Sequence, residues 1–496
     1  MSSSSTTEPE PGTGQKTKPL PLPLPSLILL PPPPRPATRS TLSAAYRPPL
    51  EAAISKLLKA EDGDSDGDGA TLVIAVAAPF LAREQARPHR RSLSWPDAQT
   101  LIAGLYGIVS VICARHGVPT EVRAGPGSVD ARVVLVDHEP GRRYAGEGEG
   151  GGAGGLAFST TPAVETNNTI VVDLASFAAA YHPWHRIYRV DTEAGNALLS
   201  TYLRLLERRV LQPKPRPLRQ DQLVTVPGGL AMSVAGSSEV DRSSPSSSQP
   251  TVTPLRRTVC LGGTFDHLHP GHKLLLHAAV LLLDVPTAPA QAPPTIPCRL
   301  IVGITGDELL RRKKYAELVQ PWDQRAAHVV DFLSTVLGLS PRGWSGGGFQ
   351  QSSGDARSGG REEAKAGDDD YLGTSVVARR DRELVVGFRG AAIEVQCVVI
   401  HDMYGPTATR EDVDALVVSG ETRSGGQAVN EKRAELGWHA LDIFEVDVLD
   451  AEETDNEGGS TTTTTTTATA DFASKISSSA IRKQRAEAAA TGTRHA

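Results

Sequence analysis

The sequence predicts an α/β protein whose C-terminal half is a doubly wound parallel sheet, preceded by a separate α/β region. Short apolar runs typical of strands alternate with helical patterns in both halves of the chain. The first strand-like run of the C-terminal half is followed by two glycines and then by an apolar helical segment. A Ser- and Pro-rich stretch lies between the halves, and 496 residues suffice for two or three domains.

Charge and cysteine usage exclude several classes of protein. The formal net charge of -6 and the pI near 6.1 give no basic excess, so we expect neither a nucleic-acid partner nor an anionic membrane partner. The four cysteines are too scattered for a disulfide framework or a CxxC metal site. We therefore expect them to act as small apolar residues in a cytoplasmic protein with no membrane span.

Composition divides the chain into packed regions and segments that bury little apolar surface. Residues 1–48 are predicted to be a disordered, Pro- and Ser-rich N-terminus, because Leu20 to Leu30 alternates with proline and runs into Pro31 to Pro34. Residues 228–253 are predicted to be a linker. Insertions at 343–370 and 450–470 are predicted to be surface loops.

The first packed region covers residues 49–227. Leu72 to Val76 and Val133 to Val136 have strand-like composition, whereas Ala98 to Arg115 and Ala194 to Arg209 have helical spacing. No catalytic signature accompanies this pattern. An interaction or regulatory role for the region is a hypothesis.

The second packed region covers residues 254–490 and begins with a strand-like run at Thr258 to Leu261. Helical and strand-like segments then alternate, which predicts parallel strands with ligands at their carboxyl ends. The predicted helices are Gly271 to Leu283, Trp322 to Leu337 and Gln427 to Leu436, and the further strands are Leu300 to Ile304, Ile393 to Ile400, Ala415 to Val418 and Leu441 to Val446.

The stretch GGTFDHLHPGHK, from Gly262 to Lys273, lies between the first strand and the first helix. Gly262 and Gly263 leave room for a phosphate to approach the backbone, and a helix beginning near Pro270 offers free N–H groups and the positive end of its dipole. His269 and His272 can donate hydrogen bonds to phosphate oxygens there. Taken alone, the two histidines are also compatible with a simple helix start.

A second segment, ISSSAIR at Ile476 to Arg482, supplies hydroxyl groups at another helix N-terminus and an arginine one turn later. A serine run by itself is usually a cap or a loop. Combined with the HxGH spacing across an α/β sheet, it predicts a nucleotide-binding site.

These two segments resemble the signature motifs of the HxGH nucleotidylyltransferase superfamily, whose fold is Rossmann-like. Within it the sequence is similar to eukaryotic-type phosphopantetheine adenylyltransferases, also at Gly303 to Leu310, Asp402 to Pro406 and Val417 to Thr422. The resemblance covers about residues 255–485. It implies adenylyl transfer from ATP to 4'-phosphopantetheine, which gives dephospho-CoA and pyrophosphate in coenzyme A biosynthesis. The sequence contains no P-loop signature of a fused dephospho-CoA kinase, so we expect one activity.

The resemblance also implies roles for individual residues. His272 and His269 would stabilise charge on the transferred phosphoryl group, Thr264 would orient the attacking phosphate, and Lys313 would neutralise both reactants, with Lys314 as the alternative lysine. The β- and γ-phosphates, screened by Mg²⁺, would be held by Ser477, Ser478, Ser479 and Arg482. Further nucleotide contacts are expected at Gly262, Gly263, Phe265, Gly271, Ser419, Glu421, Thr422 and Ile476. No residue is expected to ligate a metal as part of a protein site, and association with other enzymes of coenzyme A biosynthesis is a further hypothesis.

Two other interpretations remain open at this point. One keeps nucleotidyl transfer but changes the acceptor, as in a cytidylyltransferase for phosphocholine-like alcohols or an adenylyltransferase for nicotinamide mononucleotide. The other is a non-catalytic scaffold that binds a nucleotide within a coenzyme A synthesis assembly.

Overall fold

The structure is a computed structural model. It describes residues 24–61, 69–84, 87–144, 167–180, 184–207, 218–230, 253–287, 296–337, 375–380, 382–389, 391–447, 449 and 477–492. The predicted insertions at 343–370 and 450–470 lie outside these residues, as do residues 1–23 and most of the predicted linker.

The first unit is a six-stranded sheet in which every neighbouring pair is parallel, and its strand order is β6-β5-β2-β1-β7-β8. Its strands are β1 (Ser26–Leu30), β2 (Ala70–Ala78), β5 (Val129–Asp137), β6 (Val172–Asp173), β7 (Ile187–Asp191) and β8 (Leu223–Pro227). A separate antiparallel pair consists of β3 (Ala82–Glu84) and β4 (Arg87–Ser92). The helices are α1 (Arg39–Glu61), α2 (Trp95–Arg115), α3 (Leu174–Ala180) and α4 (Glu193–Glu207).

The prediction of disorder for residues 1–48 was wrong where the structure describes them. Ser26–Leu30 is a central strand, paired with β2 on one side and β7 on the other, and α1 begins at Arg39. The five strand residues contain no proline, and all are buried. A central parallel strand is buried on both faces, so its sequence is a continuous apolar run and does not alternate with polar residues. The neighbouring prolines hid this signal.

The second unit is a seven-stranded sheet with the order β11-β12-β13-β10-β9-β14-β15. Strands β13, β10, β9, β14 and β15 are parallel, and the hairpin strands β11 and β12 add one antiparallel edge. The strands are β9 (Thr258–Gly263), β10 (Cys298–Thr305), β11 (Ser375–Arg380), β12 (Glu383–Phe388), β13 (Ile393–Ile400), β14 (Ala415–Ser419) and β15 (Asp442–Val446). The helices are α5 (Pro270–Val280), α6 (Asp307–Leu310), α7 (Trp322–Leu337), α8 (Arg423–Glu435) and α9 (Ser478–Gly492). The α/β class with parallel sheets is therefore confirmed for both halves.

One apolar core joins the two sheets. Alternate residues of a strand point to opposite faces of its sheet. The faces that the two sheets turn towards each other form one buried cluster, which includes Ile28 and Ile74 of the first sheet and Leu261 and Val302 of the second. Helix α2 packs against α5, and α7 packs against β5. The outer faces have their own clusters, beneath α3 and α4 in the first unit and beneath α8 in the second. The two sheets are thus distinct in hydrogen bonding but share their packing.

Helix α2 is, among the described residues, the one helix long and apolar enough to cross a membrane, and 67% of its most apolar window is buried inside the protein. This is weak evidence for a membrane segment, because a core helix passes the same test. All four cysteines are free and buried, in agreement with their predicted apolar role.

Candidate active site

The candidate site lies where the strand order of the second sheet reverses. The chain proceeds from β9 to β10 and β13 on one side and then returns to β14 and β15 on the other side of β9. In open α/β sheets, ligands bind at the carboxyl ends of strands beside such a reversal. Gly262 and Gly263 end β9 at this point, and Ser419 ends β14.

The loop after β9 has an unusual backbone. Phe265 and His267 have φ angles of 51° and 46°, in the left-handed region that side chains other than glycine disfavour. The conformation is held by hydrogen bonds, since the His267 N–H donates to Gln320 Oε1 at 2.9 Å and the His267 ring contacts the Leu318 carbonyl at 3.0 Å. Strain of this kind is retained at functional sites when surrounding contacts enforce it.

The two histidines of the HxGH motif lie together at the start of α5. Their rings stack with centroids 3.9 Å apart, and the Phe265 ring lies 5.3 Å from that of His272. His269 is the N-cap residue without a side-chain cap, and Pro270 opens the helix. A methyl group at Gly271 would lie only 3.2 Å from His269 Cε1, so glycine leaves room for this ring.

Desolvation favours the neutral form of both imidazoles, whose side chains are half-buried. It lowers the pKa of His269 well below its usual value and that of His272 to about 4, and for His269 the neighbouring His272 adds to the effect. The Nδ1 atoms of both rings are buried and have no hydrogen-bond partner in the part of the chain that the structure describes. Buried nitrogens without partners are costly, so a bound ligand that supplied partners would stabilise this arrangement.

The second signature segment meets this loop directly. Ser478 Oγ donates to the Asp266 carbonyl at 2.9 Å, and the Arg482 guanidinium forms an ion pair with the Asp266 carboxylate. Both members of that pair are buried, at 1% and 0% exposure. Ser477 caps α9 by accepting a hydrogen bond from the Ala480 N–H at 3.3 Å. The sequence therefore correctly predicted that the two segments come together.

Arg482 is fully engaged with protein atoms in this structure. Besides Asp266, it donates from Nη2 to Ser479 Oγ at 3.2 Å and from Nε to the Lys314 carbonyl at 3.2 Å. Its role in holding the leaving phosphates stays a prediction, and its observed role is to join α9 to the β9–α5 loop. Ile476 lies outside the described residues.

An exposed basic run lies beside this joint. Arg311, Arg312, Lys313 and Lys314 follow α6, and all four side chains are exposed. None of them forms an ion pair within the described residues. Because the Lys314 carbonyl accepts from Arg482, the run is anchored next to α9 and leaves its cations available to an anion.

The remaining predicted residues occupy the same edge of the sheet. Thr264 is partly buried, and its carbonyl accepts a hydrogen bond from Arg325 Nη1 at 2.8 Å. Ser419 and Thr422 cap one another after β14, with the Ser419 N–H 3.1 Å from Thr422 Oγ1, while Glu421 is exposed. A side chain at Gly262 would meet only ordinary contacts, the nearest at 3.8 Å, so protein packing does not require this glycine.

Sequence reasoning missed the residues that hold the site in shape. Asp266 receives hydrogen bonds from Arg482 and from the Gln320 N–H at 2.9 Å. Arg325 is completely buried and ties the Thr264 carbonyl to Asp307 Oδ1, which lies 2.6 Å away. Asp266 could have been found as the one carboxylate inside the first motif, but nothing in the sequence singles out Arg325.

The donor set does not form a metal cage. No group of three or more His, Cys, Asp or Glu side chains that could hold a metal ion occurs among the described residues. Mg²⁺ typically takes one or two carboxylates and obtains its other ligands from water and substrate phosphates.

The chain is similar to one family model and to several named proteins. Residues 15–232 match a family model described as "Domain of unknown function (DUF8446)". Phosphopantetheine adenylyltransferase of Saccharomyces cerevisiae is 31% identical over 195 residues, which cover 39% of this chain and 42% of that protein. Uncharacterized protein C1F12.08 of Schizosaccharomyces pombe is 28% identical over 230 residues, covering 46% and 48%.

A relative from Pyrococcus furiosus, also named phosphopantetheine adenylyltransferase, is 25% identical over 193 residues, covering 39% of this chain and 78% of that protein. The chain spans less than half the length of the two fungal relatives. Over about two-fifths of its length, then, this chain is similar to proteins that carry the name phosphopantetheine adenylyltransferase.

Proposed function

We propose that the second unit transfers the adenylyl group of ATP to 4'-phosphopantetheine, which yields dephospho-CoA and pyrophosphate. One observation carries the proposal: Ser478 of α9 is hydrogen-bonded to Asp266 and Arg482 is ion-paired with it, three residues before His269, the N-cap of α5 and the first of the paired histidines. Two helix N-termini and two imidazoles therefore share one edge of the sheet. Such an edge suits a triphosphate, because helix N-termini and N–H donors stabilise anions.

The reaction needs no covalent intermediate with the protein. An oxygen of the acceptor phosphate attacks the α-phosphorus of ATP, the bond from that phosphorus to the bridging oxygen of the β-phosphate breaks, and pyrophosphate leaves. Both reactants are anions, so the protein must screen their charge and align them in line. Mg²⁺ bound with the nucleotide would supply part of that screening.

Each group in the site has a role consistent with this chemistry. The neutral His269 and His272 each carry one ring N–H and would donate it to oxygens on which charge develops. The α5 N-terminus and the exposed Lys313 and Lys314 would attract the phosphates. Thr264, next to the β9 glycines, would orient the acceptor. The names of the relatives support phosphopantetheine as that acceptor.

The decisive experiment is to incubate the full-length protein with ATP, Mg²⁺ and 4'-phosphopantetheine and to detect dephospho-CoA by mass spectrometry. Parallel reactions replace ATP with CTP, or the acceptor with phosphocholine or nicotinamide mononucleotide, and record pyrophosphate release. We expect product only with ATP and phosphopantetheine. Activity with a rival pair and none with phosphopantetheine would refute the acceptor, and ATP binding without pyrophosphate in any reaction would favour the non-catalytic scaffold.

A further inference from the structure

The role of the first unit is suggested by where its polar contacts reach the second unit. Much of the interface between the two units is apolar. Residues 120–132, which lie between α2 and β5 and include the first residues of β5, make a concentrated set of polar contacts with the second unit. We call these residues the bracket. The bracket contacts the β9–α5 loop, α5, α7 and α9.

The first contact fixes the residue that follows His272. Lys273 is completely buried, and its ammonium group donates to Asp130 Oδ1 at 2.6 Å, to the Thr120 carbonyl at 3.0 Å and to the Ala131 carbonyl at 3.3 Å. All three acceptors belong to the bracket. A buried ammonium without such acceptors would be strongly destabilising, so the position of this turn of α5 depends on the first unit.

The carboxylate that holds Lys273 is itself fixed. Asp130 Oδ2 lies 2.6 Å from Arg132 Nη2, and Arg132 continues to Asp331 on α7 at 3.1 Å. Burial alone would raise the pKa of Asp130, but Arg132 and Lys273 hold it at about 2. Two cations and two carboxylates thus form a buried network that spans both units, and the partly exposed Arg123 adds a third cation, 3.3 Å from Asp331.

The second contact reaches the other signature helix. Glu121 Oε1 lies 3.4 Å from Arg485 on α9, and the Val122 N–H donates to the Leu268 carbonyl, just before His269, at 3.1 Å. The neighbouring Arg123 has a φ angle of 53°, so the chain is held in a disfavoured conformation where it makes these contacts. Three consecutive residues, Thr120 to Val122, therefore touch α5, the loop before it and α9.

From this arrangement we propose that the bracket is a positioning element of the nucleotide site, and that the unit of unknown function serves to set the spacing between the two phosphate-binding helices. This inference rests on the proposed function of the second unit. The bracket touches no reacting group, and it acts through Lys273, Leu268 and Arg485. Other contacts join the two units without reaching the signature helices' N-termini. One is the ion pair at 2.5 Å between Arg90 on β4 and Asp284, which follows the C-terminal end of α5.

The test uses three full-length variants. Lys273→Met keeps the length of the side chain and leaves Asp130 paired with Arg132, whereas Glu121→Gln removes one charge from the contact with α9. Arg90→Met is the matched control, because it breaks an ion pair across the same interface away from the signature helices. For each variant we would measure the thermal midpoint, kcat and KM for ATP, and the Kd of ATP by calorimetry without acceptor.

We expect KM and Kd for ATP to rise about tenfold in Lys273→Met and about threefold in Glu121→Gln, because small displacements of binding groups weaken contacts with the triphosphate. Arg90→Met should lower the thermal midpoint while leaving KM and Kd unchanged. A loss of folded protein would reduce apparent kcat alone, so a rise in KM separates positioning from stability.

Unchanged KM and Kd in both folded bracket variants would overturn the inference, and so would an equal rise in Arg90→Met. If Lys273→Met does not fold, Glu121→Gln compared with Arg90→Met decides the question. Failure of the proposed function has a different signature: the wild-type protein then forms no pyrophosphate, while the calorimetric comparison of ATP binding still tests the bracket.

Discussion

The two sheets of this protein have the same kind of strand order, but different residues lie where that order reverses. In each, the first strand is central, the next parallel strands extend to one side, and the last two return on the other side. In the second sheet, that strand ends in two glycines and is followed by the HxGH loop, whereas in the first sheet β1 is followed by the prolines at 31–34. The Pro31 carbonyl accepts a hydrogen bond from the Tyr46 hydroxyl at 2.7 Å, so this end is closed by α1.

The polar residues at the two carboxyl edges differ in the same sense. In the first unit, Asp137 accepts from the Leu81 N–H at 3.0 Å and from Arg142 at 2.6 Å, and His138 pairs with the Tyr144 hydroxyl at 2.7 Å. In the second unit, His269 and His272 keep buried nitrogens without partners among the described residues. Topology alone therefore does not make a site. A site also depends on which side chains lie where the strand order reverses.

Removal of the charge on Asp266 should have the largest effect. Asp266→Asn would leave the buried Arg482 without its counter-ion, which typically costs about 3–5 kcal/mol of unfolding free energy. Because the same carboxylate joins the two signature segments, activity should also disappear. Asp137→Asn in the first unit is the matched control, since its partner Arg142 is partly exposed at 20% and can be solvated. Urea denaturation measures both variants, and an equal loss in the two would contradict the special role of Asp266.

Loss of the second imidazole should be nearly as severe for catalysis. In the proposed reaction, His272→Ala removes a donor aimed at developing charge, so kcat should fall about 100- to 1,000-fold while the protein remains folded. His138→Ala provides the comparison, because it is a histidine at the corresponding edge of the first sheet. Its kcat should stay within about twofold of wild type. Steady-state pyrophosphate release would measure both, and wild-type turnover in His272→Ala would remove this residue from the mechanism.

The interface between the sheets should respond to acid. His328 on α7 is buried, which lowers its pKa to about 4; Asp331 opposes the shift, and Arg123 adds to it. The unfolded chain binds a proton near pH 6.5, but the folded chain does so only near pH 4. The contribution of the neutral ring to stability is therefore complete above pH 6.5 and is lost as the pH falls towards 4.

Each unit of pKa difference corresponds to about 1.4 kcal/mol, so wild type should lose about 2–3 kcal/mol more than His328→Gln between these pH values. Denaturation curves at pH 6.5 and pH 4 give the difference. Parallel curves for wild type and His328→Gln would show that this ring does not titrate with unfolding.

The sequence predicted the candidate site of the second sheet more readily than the architecture that surrounds it. The motif from Gly262 to Lys273 is contiguous, so its glycines, helix start and histidines could be interpreted together. The pairing with α9 was inferred from two motifs, and Ser478 and Arg482 do meet Asp266. Both predictions depend on short sequence motifs that can be recognised in one sequence.

The features that were missed depend on contacts distant in sequence. Strand β1 was hidden because prolines flank five apolar residues whose burial is created by β2 and β7. Lys273 was noted only as part of a motif, since its partner Asp130 is 143 residues away. The completely buried Arg325 carries no signal at all, because a buried arginine is recognisable only once its acceptors are in place.

The smallest effect is expected from a single methyl group. At Gly271 an added Cβ would lie 3.2 Å from His269 Cε1 and 3.3 Å from its Nδ1, so the ring must shift by a few tenths of an ångström. At Gly425 of α8 the same methyl would meet nothing within 4 Å. Both glycines lie in helices, where alanine is favoured by about 1 kcal/mol.

The free energy of unfolding of the Gly425→Ala variant should therefore rise by up to about 1 kcal/mol, and its kcat should be unchanged. Gly271→Ala should gain less stability and lose several-fold in kcat, since displacement by a full ångström can cost about 100-fold. Denaturation and steady-state kinetics on the pair separate helix propensity from ring position. Equal kcat in the two variants would mean that the stacked imidazoles tolerate movement, and the contrast between the carboxyl edges of the two sheets would then rest on His272 alone.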